Sequence, residues 1–159
     1  MNTLLEQLQR NARQSNAELA EMLGMDEVAV AAEVTRLENE GAILGYTAIV
    51  DHEQHEPNHV TAMIEVKVTP ERDGGFDRLA TRIAKFPQVK SCFLMSGSYD
   101  LAVVVEGSDL REVARFVSEK LSSMNGIVSA ATHFQLKTYK SNGHLRVVND
   151  EGERLPVTP

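Results

Sequence analysis

The sequence contains no tryptophan, and aromatic residues make up only 5% of the chain. Hydrophobic residues still amount to 42%, so we expect a core built mainly from aliphatic side chains. No uninterrupted apolar run approaches the roughly 18 residues that suggest a membrane-spanning helix. The first residues, MNTLLE, lack the basic start and long apolar run of a signal peptide. We therefore predict a cytoplasmic protein that does not interact with membranes.

Cysteine and recognisable catalytic patterns are also scarce. The single cysteine, Cys92, excludes a disulfide within one chain, and its apolar surroundings favour a buried free thiol. There is no Ser/His/Asp order with a nucleophile elbow, no cysteine beside a plausible base, and no phosphate-binding glycine loop. We expect no catalytic residues, no cofactor and no enzyme activity.

Basic residues are rare in the first third of the chain. Residues 1–51 contain three arginines and nine acidic residues, which gives a net charge of −6, whereas the remaining 108 residues contain 13 basic and 14 acidic residues. Affinity for nucleic acid comes largely from neutralising phosphates. This acidic segment should therefore gain little from charge attraction to DNA.

Helical signals nevertheless dominate this segment. Ser15 and Glu18 form a capping-box pattern at the start of a second helix, Gly24 stops that helix, and Asp26 can cap a third. Two helices of about eight and fourteen residues around such a turn predict a helix-turn-helix. The following apolar run, residues 42–51, predicts a short strand that would make it a winged helix-turn-helix.

A different pattern begins after a polar segment at residues 52–59, which we interpret as a hinge. Alternating and helical periods then predict the order βαββαβ, a ferredoxin-like fold, so the whole chain is of the α+β class. Its last helix should place Leu110 and Val113 in the core, and its last strand should run from 127 to 140. The run 101–105 is apolar on both faces, so we expect the open face of the sheet to pack on a second copy.

Several segments, in this order, resemble the Lrp/AsnC family of bacterial and archaeal regulators. They are residues 8–20 (LQRNARQSNAELA), 36–47 (RLENEGAILGYT), 96–101 (SGSYDL), and 126–128 (GIV), followed by Thr132 and residues 136–138 (LKT). The resemblance implies a DNA-binding domain at residues 1–51 and an effector-binding and oligomerisation domain at 60–140. Residues 141–159 are polar and contain several Gly and Pro residues, which predicts a polar tail. It also implies a transcription regulator that binds double-stranded DNA and an amino acid or related metabolite, and that forms homodimers and larger assemblies up to octamers.

The resemblance assigns DNA contacts to the third helix. The corresponding positions are Val28, Ala29, Ala31, Ala32, Thr35 and Arg36. Bases are usually recognised by Arg, Lys, Asn or Gln, and here Arg36 alone is basic. Two hypotheses follow: a regulator whose weak contacts are multiplied by assembly, or a metabolite-sensing module with weakened or lost DNA binding that acts through hetero-oligomers.

The resemblance assigns effector binding to the turn between the second and third strands of the sheet. The predicted residues are Ser96, Gly97, Ser98, Tyr99 and Asp100, together with Thr132 from a neighbouring chain. Gly97 can bring the backbone close to a ligand, and Asp100 can accept the ammonium group of an amino acid. The alternative is a hairpin turn in which Asp100 only caps backbone N–H groups.

Five imidazole and carboxylate side chains lie close together in the hinge: His52, Glu53, His55, Glu56 and His59. These groups suit zinc, copper or nickel, but solvated histidines also collect in polar hinges, and we predict no metal site. Sirohaem decarboxylases share the proposed layout, but their sites need clustered basic and histidine residues. The predicted strands here contain only His133, which argues against that enzyme class.

Overall fold

The computed structural model describes residues 3–69 and 75–146 of the chain, which separates into two units, residues 1–49 and 50–159. The predicted polar tail at 141–159 therefore lies mostly outside the described residues. Among the helices of the described part, none combines the length and apolarity needed to cross a membrane.

The first unit is a three-helix arrangement that confirms the predicted helix-turn-helix. Its helices are α1 (Thr3–Arg10), α2 (Asn16–Leu23) and α3 (Glu27–Asn39). One face of each helix contributes to a small aliphatic core. The buried side chains of that core are Leu4, Leu19, Ala20, Val30 and Leu37.

The ends of α2 follow the sequence signals. The Ser15 hydroxyl accepts the backbone N–H of Glu18, and the Glu18 carboxylate accepts the backbone N–H of Ser15 at 2.7 Å, which completes the capping box. These bonds lower the pKa of Glu18. Gly24 ends the helix with φ +64°, a left-handed conformation in which a side chain would be strained.

The strand predicted for residues 42–51 is not formed. The described part of the first unit contains three helices and no strand, and residues 43–51 are irregular. A β-strand requires a neighbouring strand to satisfy its backbone groups, and this unit offers none. The segment is instead attached to α3 by the Tyr46 hydroxyl, which donates to the Glu38 carboxylate at 2.9 Å.

The second unit confirms the ferredoxin-like prediction. Four antiparallel strands lie in the order β2-β3-β1-β4. The elements are α4 (His52–His55), β1 (Val60–Val68), α5 (Asp77–Ala84), β2 (Val89–Leu94), β3 (Leu101–Gly107), α6 (Leu110–Arg115, continued by a π-helical segment, Phe116–Leu121), β4 (Ile127–Phe134), β5 (Lys140–Ser141) and β6 (His144–Leu145).

One face of the sheet and the helices α5 and α6 enclose the main core. Ile64 and Val66 of β1 and Val103 and Val105 of β3 are fully buried there, packed with Ile83 of α5. Cys92 packs against this core from β2, and burial raises the pKa of its thiol. A strand presents successive side chains to opposite faces, so the alternate residues form the other, open face of the sheet.

The first residue of the last helix is exposed, contrary to the prediction. Leu110 is 55% exposed, whereas Phe116 is 3% exposed and Leu121 is fully buried. The π-helical turn from Phe116 to Leu121 adds a residue to the turn. The prediction for Leu110 was therefore wrong, while Val113 is buried as predicted.

Both ends of the second unit are more structured than predicted. The hinge at 52–59 begins with the single helical turn α4, and the last strand stops at Phe134 instead of continuing to 140. The chain then forms the small β5–β6 hairpin. Arg146 follows it and forms ion pairs with Asp51, at 2.8 Å, and with Glu53, whose carboxylate also accepts the backbone N–H of Thr138.

Candidate functional site

The second helix of the helix-turn-helix begins at a side-chain cap. Asp26 accepts the backbone N–H of Val28 at 2.9 Å, which fixes the first turn of α3. Val30 and Leu37 attach the opposite face of the helix to the core. The exposed face of α3 lies on the side away from this core.

That face carries the residues predicted to contact DNA. Val28 is 76% exposed, and Ala29, Ala32, Thr35 and Arg36 are also exposed, whereas Ala31 is half-buried. The Thr35 hydroxyl donates to the Ala31 carbonyl at 3.0 Å, so it is engaged within the helix. These positions lie together on one surface of α3, and most of their side chains are small and apolar.

Arg36, the basic residue of this surface, already forms ion pairs within α3 and with its C-cap residue. The Arg36 guanidinium binds Glu33 through two hydrogen bonds of 2.7 and 2.8 Å, and Glu40 through a third. These carboxylates raise the pKa of Arg36 still further above its already high value. To reach a phosphate, Arg36 must exchange at least one of these contacts.

Glu33 and Glu40 were not predicted from the sequence as the partners of Arg36. The signal was available in their spacing, since residues three and four positions apart lie side by side on a helix. The two carboxylates thereby cancel the local charge that would otherwise attract DNA.

The predicted effector turn joins β2 to β3. Ser96, Gly97 and Ser98 are exposed, and Tyr99 and Asp100 are half-buried. Gly97 has φ +150°, which L side chains rarely adopt, and a Cβ placed there would meet no atom of the described residues within 4 Å. The turn therefore has a conformation that favours glycine.

Asp100 attaches this turn to β1 through two hydrogen bonds. Its carboxylate accepts the backbone N–H of Val68 at 2.8 Å, and its own backbone N–H donates to the Val66 carbonyl at 3.0 Å. The turn is therefore attached to the end of β1. This contact is the capping role that the sequence analysis gave as the alternative for Asp100.

Thr132 lies apart from this turn within one chain. It is half-buried on β4, opposite Ile64 of β1. Since β1 lies between β3 and β4 in the sheet, one strand separates Thr132 from the Asp100 side. The structure of a single chain does not bring the two residues together.

Two family models match the two units. The AsnC-type helix-turn-helix domain matches residues 3–38, and the Lrp/AsnC ligand binding domain matches residues 61–145. Together the matches include α1, α2, all but the last residue of α3, and all but the first residue of the four-stranded sheet.

Relatives match over nearly the whole chain. The HTH-type transcriptional regulator YugG of Bacillus subtilis (strain 168) is 44% identical, over 98% of this chain and 95% of its own length. The leucine-responsive regulatory protein of Escherichia coli (strain K12) is 27% identical, over 89% of this chain and 86% of its own.

A solved structure agrees in fold and in sequence. A transcriptional regulator from Neisseria meningitidis, solved as a complex with L-Met, superposes with a TM-score of 0.70 and 28% identity, over 87% of this chain and 88% of that one. Nothing in these comparisons favours the alternative of a sensing module without DNA binding. The helix-turn-helix, the ferredoxin-like sheet and the relatives agree, and the chain belongs to the Lrp/AsnC family of transcriptional regulators.

Proposed function

We propose that this regulator binds DNA through the exposed face of α3 and responds to an amino acid bound at the turn between β2 and β3. The observation that carries the proposal is the position of Asp100, a half-buried carboxylate in a turn whose glycine leaves the backbone accessible. A carboxylate in this position can bind the ammonium group that all amino acids share.

The apolar character of α3 suggests how it contacts DNA. Val28, Ala29 and Ala32 can contact thymine methyl groups in the major groove, which require no polar side chain. Arg36 supplies one phosphate contact when it leaves its carboxylate partners. Such a surface should bind weakly as a single copy, and linked copies would raise the affinity by on the order of 10²–10⁴.

The open face of the sheet is the proposed dimer interface. On this face Met63 is 39% exposed and Phe93 is 55% exposed. Glu65 and His133 lie beside them, 3.5 Å apart. Apolar side chains on an uncovered sheet favour burial against another protein surface, and a second copy is the partner that the family resemblance implies, with further assembly of dimers up to octamers.

A dimer or larger assembly would also complete the effector site. Within one chain β1 separates Thr132 from Asp100, so Thr132 would reach the turn from a second copy. The hydroxyl of Thr132 can bind the carboxylate of an amino acid while Asp100 binds its ammonium group. Ser96 and Ser98 are exposed next to Gly97 and offer further hydrogen bonds.

The experiment is a fluorescence-anisotropy titration of the purified protein against the DNA upstream of its own gene. It is repeated over a salt series, with and without a mixed amino-acid pool that includes Met and Leu. Saturable binding that a scrambled DNA does not reproduce, and that the pool shifts, supports the proposal. Absence of binding at low salt from an intact oligomer would contradict it and favour the hetero-oligomeric sensing module.

Membership in a regulator family favours this function over an enzyme. A regulator must be in the same compartment as the DNA that it binds. In bacteria the chromosome lies in the cytoplasm. We propose the same location for this chain.

A further inference from the structure

Two histidines and one glutamate meet at the start of the second unit. The Nδ1 atoms of His52 and His59 lie 3.3 and 3.2 Å from the same carboxylate oxygen, Oε2 of Glu56. The two imidazole rings are stacked, with centroids 4.1 Å apart and planes 12° from parallel. All three potential ligand atoms lie within 4.8 Å of one another.

The local fold brings these residues together. The helical turn α4 begins at His52, and the backbone N–H of Glu56 donates to the His52 carbonyl at 2.7 Å. A second turn follows, in which the backbone N–H of His59 donates to the Glu56 carbonyl at 2.9 Å. Positions separated by four and then three residues therefore lie on one side of the segment.

Contacts on both sides hold the segment in place. Glu53, within α4, binds Arg146 and the backbone N–H of Thr138. At the other end β1 begins at Val60, directly after His59, and pairs with β3. The cluster is thus built on an anchored turn next to a sheet, which limits the conformational entropy that a ligand would have to overcome.

His59 has the surroundings of a metal-binding histidine. Its side chain is only 13% exposed, and its second nitrogen, Nε2, is buried with no hydrogen-bond partner among the residues that the structure describes. That nitrogen lies 4.0 Å from Glu106, whose carboxylate is 3.3 Å from the Lys90 ammonium. A metal-bound histidine usually donates its other N–H to a carboxylate, and a small shift of Glu106 would supply that partner.

The distances also fit a particular class of metal ion. With bonds of about 2.0–2.2 Å, neighbouring ligands of a tetrahedral zinc lie about 3.3–3.6 Å apart, close to the two nitrogen–oxygen separations in the cluster. Two imidazole nitrogens and one carboxylate favour zinc, with cobalt and nickel as related ions, over magnesium and calcium. Three protein ligands leave a fourth position for water or a further side chain.

We propose that His52, Glu56 and His59 form a zinc-binding site, with Glu106 as the residue that orients His59. The His52 ring is 38% exposed and can rotate to admit the ion, while the largely buried His59 stays in place. The bound ion cross-links α4 to the start of β1. It thereby stiffens the segment that follows directly after the helix-turn-helix unit in the chain.

The test is isothermal titration of zinc chloride into the full-length, tag-free protein after treatment with a chelator. We expect one zinc ion per chain for the wild type. Loss of a residue that hydrogen-bonds to a metal ligand lowers the metal affinity about 10–100-fold. Loss of a ligand itself should cost at least as much, so we expect His52→Ala and Glu56→Gln each to lower the zinc affinity by at least that factor. Glu106→Gln, which keeps all three ligands, should show the smaller loss of an orienting residue.

His144→Ala is the matched control, because His144 is an exposed histidine on the β5–β6 hairpin and should leave zinc affinity unchanged. Circular dichroism in the chelator shows whether each variant is folded, and titration with cobalt reports tetrahedral coordination by its absorption. Equal zinc affinity in the wild type, His52→Ala and Glu56→Gln would overturn the site. So would a cobalt spectrum unaffected by these substitutions.

Discussion

The Asp100 carboxylate accepts the backbone N–H of Val68 at 2.8 Å. This single hydrogen bond connects the residue before β3 to the last residue of β1, two strands that are neighbours in the sheet. Asp100 therefore has a structural role in one chain, and its proposed role in effector binding is additional to it. The two roles can be separated because one depends on an acceptor oxygen and the other on negative charge.

Asp100→Asn retains an acceptor for Val68 but removes the charge, whereas Asp100→Ala removes both. We expect Asp100→Asn to be nearly as stable as the wild type and to lose the response of DNA binding to amino acids. Asp100→Ala should lose the response and also about 1–3 kcal/mol of stability, because the Val68 N–H is left unsatisfied. Urea denaturation and the anisotropy titration measure the two effects, and a normal effector response in Asp100→Asn would contradict the proposed site.

Releasing Arg36 from a carboxylate should strengthen DNA binding. Glu40→Gln removes one of the ion pairs of Arg36, and Glu21→Gln removes the same charge from an exposed position of α2. We expect Glu40→Gln to raise the affinity for DNA. The slope of log K, the logarithm of the DNA-binding constant, against the logarithm of the salt concentration should become steeper by up to about 0.9, the value for one phosphate contact. If both variants show the same salt slope, Arg36 is not the group that contacts the phosphate.

The open face of the sheet should be sensitive to charge. Phe93→Glu places a carboxylate among the side chains proposed to be buried between two copies, and we expect the dimer to dissociate because an unpaired charge is costly to bury. Leu136→Glu is the control, since Leu136 is 93% exposed in the segment after β4. Light scattering after size-exclusion chromatography gives the masses, and a dimeric Phe93→Glu protein would place the interface elsewhere.

The capping box of α2 makes a prediction for the helix-turn-helix. Ser15→Ala should destabilise this unit by about 0.5–2 kcal/mol, the usual cost of losing an N-cap side chain. Ser15→Thr, which retains a hydroxyl in the same position, should cost much less. Chemical denaturation followed by circular dichroism measures both, and equal losses would mean that the cap does not stabilise α2.

The same capping box predicts a dependence on pH. Bonds from Ser15 hold the pKa of Glu18 below its ordinary value of 4.5, so the folded state favours the ionised carboxylate. The resulting stabilisation is fully present above pH 4.5 and is lost as the pH falls through the lowered pKa. The stability advantage of the wild type over Glu18→Gln should therefore decrease on acidification; an advantage that grows in acid would contradict this assignment.

Local signals explain which parts of the fold were predictable. The capping box of Ser15 and Glu18, the Asp26 cap and the stop at Gly24 are each formed by residues a few positions apart, and all were confirmed. The alternation of β1 likewise reports the burial of Ile64 and Val66 directly. At these positions both the sequence pattern and the structure result from interactions between residues that are close in the chain.

The remaining features depend on partners that a sequence does not display. The strand predicted at 42–51 lacks a neighbouring strand, and the last strand ends at Phe134 although the apolar pattern continues. The π-helical segment places Phe116 and Leu121, five residues apart, together in the core, and Leu110 at the start of α6 is exposed. The convergence of His52, Glu56 and His59 requires the helical turn α4, which a Pro-containing polar segment did not predict.

The ion pair between Arg146 and Asp51 brings two positions that are 95 residues apart in the chain into direct contact. The described part of the second unit thus returns to its own beginning, and its two ends are neighbours. Domains with adjacent ends tolerate circular permutation and insertion into other proteins. This unit is therefore suited to insertion into an exposed loop of a host protein. Only short connecting peptides would be needed, and the inserted unit would bring its effector-binding turn into the host.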